Sequence, residues 1–198
     1  MESILHTKKK LGGSRGPVIT IAIIVLLLGI TIFNYWRQAP EYGTELIVKD
    51  LDTLVDIFGR IDKSARIMKF DKQIDSINFL TVGSFKGSEV GSMNLAYPDH
   101  WQGPYLESNL RLQGIDYQIV TTKKGCFITP GNGVRLPNGK IMGKDIVLDE
   151  HSDIEALRHE EGMLLHKGKP LALPLVLETS AVQKLLMEDL IDTQDDMI

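Results

Sequence analysis

The residues best equipped for chemistry lie in the last third of the chain. His159-Glu160-Glu161 and His166 bring two imidazoles and two carboxylates into a short stretch. A zinc-binding helix needs histidines at i and i+4 with a glutamate after the first, because that spacing aims both rings at one ion. Here the histidines are seven apart with Gly162 between them, and no third ligand is identifiable. A solvated helix face explains these residues better. Asp145, Asp149, Glu150 and Asp153 form an acidic cluster that could attract Ca²⁺, but they lack the loop spacing of an EF-hand and read as a charged connection. The stretch PGNGVRLPNGK does not end in Gly-Lys-Ser/Thr, so its glycines belong to turns rather than to a phosphate cradle. Ser84, Ser88 and Ser92 lie near glycines without forming a Gly-x-Ser-x-Gly elbow. Cys126 sits in an apolar strand pattern, as a small buried residue rather than a nucleophile. The expectation is a chain with no catalytic residues, no cofactor and no metal.

Composition narrows the field further. Of 198 residues 43% are hydrophobic and 24% charged, which are globular values. The net charge of −4 argues against a nucleic-acid binder, whose Lys and Arg gather on one face. With one cysteine no intramolecular disulfide can form.

From Val18 to Phe33 the chain reads VITIAIIVLLLGITIF without a charge. Extended to Trp36, nineteen residues at about 1.5 Å each span roughly 28 Å, close to a hydrocarbon core. Tyr35 and Trp36 stand where an aromatic belt would lie. Lys8, Lys9, Lys10 and Arg15 precede the run and Arg37 follows it, so the positive-inside rule places the N-terminus in the cytoplasm. A cleaved secretory signal is disfavoured, because the apolar run is long and lacks a small-x-small cleavage site. The expected organisation is a basic cytoplasmic leader over 1–16, a transmembrane helix over 17–37 and an extracytoplasmic domain over 38–198.

Pro40 and Gly43 predict a helix break over Gln38–Thr44. From Glu45 to Phe70, Leu46, Leu51, Leu54, Val55, Phe58, Ile61, Ala65 and Met68 recur at helical spacing, with Asp52, Asp56, Arg60 and Lys63 on the wetter face. Gly83–Pro104 reads as a long loop. Short β-type runs follow: Ile115–Thr122, Cys126–Thr129, Val134–Leu136, Lys140–Met142 and Ile146–Leu148. Asn138-Gly139 predicts a type I′ hairpin turn. Helices are expected over Asp153–His166, with Ser152 as N-cap, and over Ser180–Ile191. Lys167–Pro174 reads as a loop, and the acidic tail frays. The fold class is α+β: an N-terminal transmembrane helix continued by an amphipathic helix on a small antiparallel meander, with C-terminal helices.

Trp101-Gln102-Gly103-Pro104-Tyr105-Leu106 (WQGPYL) resembles the W-x-GPYL signature of the major type II secretion pseudopilins. The layout agrees: a basic leader ending in Gly16, an apolar helix, an amphipathic continuation, the signature and short strands. The resemblance implies a structural role, with Gly103 and Pro104 setting a turn and Trp101 and Tyr105 seating the loop against the helix. Family leaders end in Gly before a Phe-like residue, with Glu at the fifth mature position. Here Pro17 follows Gly16 and Ile21 takes the place of that Glu. The family's Asp-Pro-Trp-Gly stretch is also absent, so its calcium ligands are not carried over.

The expected function is that of a single-pass, non-enzymatic, pseudopilin-like component of a secretion or pilus-type envelope assembly in a bacterial inner membrane. Its partners would be membrane lipid and other protein subunits, with self-assembly through the N-terminal helix, where Ala22 and Gly29 permit close helix packing. No nucleic acid is expected. The alternatives are a membrane-anchored protein whose outer domain binds a protein partner, and a tethered hydrolase.

Overall fold

The structure, a computed structural model, describes residues 15–178. Of the leader expected over 1–16, residues 1–14 lie outside the described residues, as does the helix expected over Ser180–Ile191; Arg15 and Gly16 belong to the first helix. The molecule is mixed α+β, with antiparallel sheets and few helices. Its contacts divide the chain into two units, Met1–Ala39 and Pro40–Ile198.

Helix α1 covers Arg15–Ala65. In the first unit its described apolar side chains, Ile21 to Phe33, are all exposed. Counted over described residues, which omit the side chains at 15–19, 22 and 34–41, no helix is long and apolar enough to cross a membrane. The helix break expected at Gln38–Thr44 is not formed, since helix is assigned through Pro40 and Gly43. Proline's fixed φ is compatible with helix, so the penalty is a missing donor and local crowding rather than an obligatory stop.

In the second unit α1 buries Ile47, Leu51, Leu54, Ile57, Phe58, Ile61 and Ala65, a stripe at steps of one, three and four. Asp52, Asp56, Arg60 and Lys63 stay exposed. Leu46 is exposed, and its place in the stripe is taken by Ile47. The helix ends at Ala65 instead of Phe70. Arg66 has φ 56°, a left-handed turn that redirects the chain into β1 (Ile67–Phe70), and Met68 consequently points outward.

β2 (Ile74–Ser76) follows, then β3 (Glu89–Val90) and β4 (Met93–Leu95) inside the segment expected as a loop. These strands are two or three residues long, too short for a visible alternation, yet Val90, Met93 and Leu95 are buried. A 3₁₀ turn covers Pro98–His100. β5 (Arg111–Leu112) and β6 (Ile115–Asp116) pair as a tight hairpin. β7 (Gln118–Thr122) and β8 (Gly125–Thr129) form the expected hairpin across Lys123–Lys124.

The turn at Asn138-Gly139 exists but differs in type. Gly139 N donates to Leu136 O at 2.9 Å, Leu136 N donates to Lys140 O at 2.8 Å, and only Gly139 has positive φ. This is a three-residue loop with a glycine bulge, not a type I′ turn. Val134–Leu136, Lys140–Met142 and Ile146–Leu148 contribute isolated bridges rather than strands, while Ile146 and Leu148 are buried around exposed Val147.

α2 spans only Ile154–Leu157, and its N-cap is Asp153, whose carboxylate accepts from Ala156 N. The helix expected to His166 stops because Leu164 N donates to Leu157 O, folding the chain back. β9 (Leu165–His166) and β10 (Lys169–Pro170) form a hairpin through Lys167, at φ 51°, and Gly168. β11 (Leu173–Leu175) pairs with β8. Half of the loop expected over Lys167–Pro174 is therefore paired strand, at Lys169, Pro170, Leu173 and Pro174. All named pairings are antiparallel, in the orders β1-β4-β3, β11-β8-β7-β2, β5-β6 and β9-β10.

Candidate functional site

An α-helix leaves its last carbonyls without intrahelical donors. At the C-terminal end of α1 a distant segment satisfies them. Ala96 N donates to Arg66 O and Tyr97 N to Ala65 O, both at 2.9 Å. His100 Nδ1 lies 3.2 Å from Ser64 O, and since a carbonyl only accepts, that nitrogen is the donor. The 3₁₀ turn Pro98–His100 is thereby fixed on α1 and delivers Trp101 to the start of the WQGPYL segment.

The residues singled out in that segment converge. The Trp101 indole Nε1 donates to Val82 O at 3.0 Å and its ring meets Tyr105 edge-to-face at 4.8 Å. Phe85 packs on the other ring contact of Trp101 at 5.5 Å, also edge-to-face. Gly103 is required by space: a Cβ there would overlap the Trp101 indole and Val82 O. Gly103-Pro104 is a cis peptide, and Pro104 is exposed. Tyr105 N and Leu106 N both donate to Leu80 O, at 2.9 and 3.2 Å, and the Tyr105 hydroxyl accepts from Gln102 N at 3.2 Å. Arg60, on the exposed face of α1, places its guanidinium 5.8 Å from the Tyr105 ring centre, a cation–π contact. Trp101 and Tyr105 are half-buried against the core.

The two other singled-out residues lie in the first unit. Gly29 is exposed, with no atom near the position of a Cβ, and the side chain of Ala22 is not described.

Three contributors carried no sequence signal: Arg60, Val82 and Asp62. Asp62 is buried to 4% exposure at the last turn of α1. Its Oδ1 accepts from Ile67 N and its Oδ2 from Glu178 N, each at 2.8 Å. These two charge-assisted bonds tie α1, β1 and the segment after β11 together at one carboxylate.

Elsewhere polar groups are engaged structurally. Tyr117, 1% exposed, donates its hydroxyl to Asp50 Oδ2 at 2.9 Å, tying the β6–β7 connection to α1. Burial pushes the Tyr117 hydroxyl far up, reinforced by the Asp50 carboxylate, so it stays a donor. Burial also raises Asp50 against that hydrogen bond. Asp75 is raised by burial, opposed by the Lys72 N–H. The Cys126 thiol is raised by burial too, opposed by its contact with the Thr121 hydroxyl.

The acidic cluster is occupied by its own surroundings. Asp145 Oδ2 accepts from Ile141 N at 2.9 Å, and Asp149 Oδ1 accepts from His151 N and the Ser152 hydroxyl. Asp153 caps α2 and pairs with Lys124. Asp149 and Asp153 are held low first by Ser152 and by Lys124, respectively. His159 pairs with Glu155 at 3.1 Å, while Glu161 accepts from Lys167 N at 2.8 Å in the β9–β10 turn. Among the described residues no group of three His, Cys, Asp or Glu side chains is placed to hold a metal. Comparison with protein-family models, with curated proteins and with solved structures gives no match.

Proposed function

We propose that this chain is a single-pass, non-enzymatic, pseudopilin-like component of a secretion or pilus-type envelope assembly. In this reading residues 17–37 cross a bacterial inner membrane with the N-terminus cytoplasmic. The domain from residue 38 is periplasmic, its amphipathic helix lying on a small antiparallel meander. The partners are lipid and other subunits, which pack against the N-terminal helix near Ala22 and Gly29.

The observation that carries the reading is the seating of the WQGPYL segment. Trp101, Gly103 and Tyr105 close the loop on Val82 and on one another, and Tyr105 meets Arg60 of α1, a role filled by large rings and one glycine. Exposed apolar side chains from Ile21 to Phe33 support the anchor. Pro17 after Gly16 and Ile21 in place of the family's Glu favour a second reading, a permanent anchor whose outer domain binds a protein partner.

The two readings separate on cross-linking in native membranes. A photoreactive residue at Gly29 should capture the chain itself or another membrane subunit in discrete products. Capture of lipid alone at that position would contradict the assembly role and leave the tethered binding domain.

A further inference from the structure

The end of α1 is held by two distant segments. One is Ala96–Tyr105, bonded to the carbonyls of Ser64, Ala65 and Arg66. The other is the strand β11 and its continuation to Glu178, in which Leu175 and Leu177 are buried. Between them stands Asp62, one oxygen on Ile67 N and the other on Glu178 N. Arg66 N returns to Asp62 O at 3.0 Å, so the same residue also closes the left-handed turn that leads into β1.

We propose that Asp62 is a conformational relay: the strap Leu173–Glu178, bonded to its carboxylate, sets the stability of the α1 end and hence of the WQGPYL loop packed on it. Displacing the strap frees one carboxylate oxygen in a buried site. A buried charge with an unmet acceptor is strongly disfavoured, so it must draw in water or turn away from Ile67. Either response weakens the left-handed turn at Arg66, whose carbonyl is the acceptor for Ala96 N. The disturbance then reaches Tyr97 and His100 along bonds already in place, a contiguous route rather than an effect at a distance. Loosening the strap would thus loosen the WQGPYL loop, and this relay does not rest on the assembly reading above.

The test is amide hydrogen exchange on the full chain in detergent micelles. Asp62→Ala risks global unfolding, so the informative variant is Glu178→Pro, which deletes one donor and leaves the carboxylate in place. The relay predicts exchange about tenfold faster at Ile67, Ala96 and Tyr97, the effect of losing one hydrogen bond to a charged group. Val120 and Phe127, in the β7–β8 hairpin, should keep wild-type rates. Unchanged exchange at Ile67, Ala96 and Tyr97 would overturn the proposal. Equal acceleration at Val120 and Phe127 would also overturn it, by making the bond a general stabiliser. Neither outcome depends on whether the chain cross-links to other subunits.

Discussion

Gly103 has almost no freedom to change. Its missing side chain is the space that the Trp101 indole and the Val82 carbonyl occupy. Gly103→Ala should therefore cost about 2 kcal/mol or more, through displacement of the indole and loss of its bond to Val82 O. Gly83 is the control, since a Cβ there would meet only Pro104 Cδ, at 3.6 Å. Gly83→Ala should stay within about 0.5 kcal/mol of wild type. Urea unfolding distinguishes the two, and equal effects would refute the packing role of Gly103.

Asp75 gives a prediction in pH. Its folded-state pKa is raised by burial, so the fold binds this proton more tightly than the unfolded chain does. Its contribution is present below the unfolded pKa and lost as pH rises through the folded one. Asp75→Asn keeps an acceptor for Lys72 N and removes the charge. The melting-temperature difference, variant minus wild type, should thus increase from about pH 4 to about pH 7. A flat or decreasing difference would contradict this. At the same scale, Gly103 and Tyr105 stood out as letters of a motif, but Arg60 and Asp62 did not. Each reads as an ordinary polar helix residue, and its partner lies 45 or 116 positions away, at Tyr105 or Glu178.

Among the elements, α1 was legible wherever one face is buried, because its apolar residues recur at three- and four-residue steps. Its C-terminal end was not. Ile67, Met68 and Phe70 continue the apolar texture, and bonds from Ala96, Tyr97, His100 and Asp62 hold the turn at Arg66. The β7–β8 hairpin was readable from β-branched residues meeting Lys-Gly. The β9–β10 hairpin was hidden because Lys167, an unusual residue at positive φ, occupies its turn. Strands β3 and β4 are too short for any period to emerge. The buried stripe makes its own prediction. Leu54→Ala should destabilise the second unit by about 2–5 kcal/mol through transfer and cavity terms, whereas exposed Asp52→Ala should shift it by less than about 0.5 kcal/mol. Chemical denaturation followed by circular dichroism measures both. Comparable losses would mean that α1 is not packed by the Leu54 face.

At the scale of the whole molecule, the proposed function depends on where the first forty residues reside. Sixteen uncharged residues, Val18–Phe33, with four cations before them, leave water as a poor solvent for this helix. Among its described side chains, Ile21, Leu26 and Phe33 are each more than 60% exposed. Alkaline carbonate extraction of membranes from cells making the full chain examines this most directly, with intact mass read on the same fractions. The chain should remain in the membrane pellet. Recovery in the carbonate supernatant, with the mass showing residues 1–40 still attached, would contradict both the anchor and the assembly built on it.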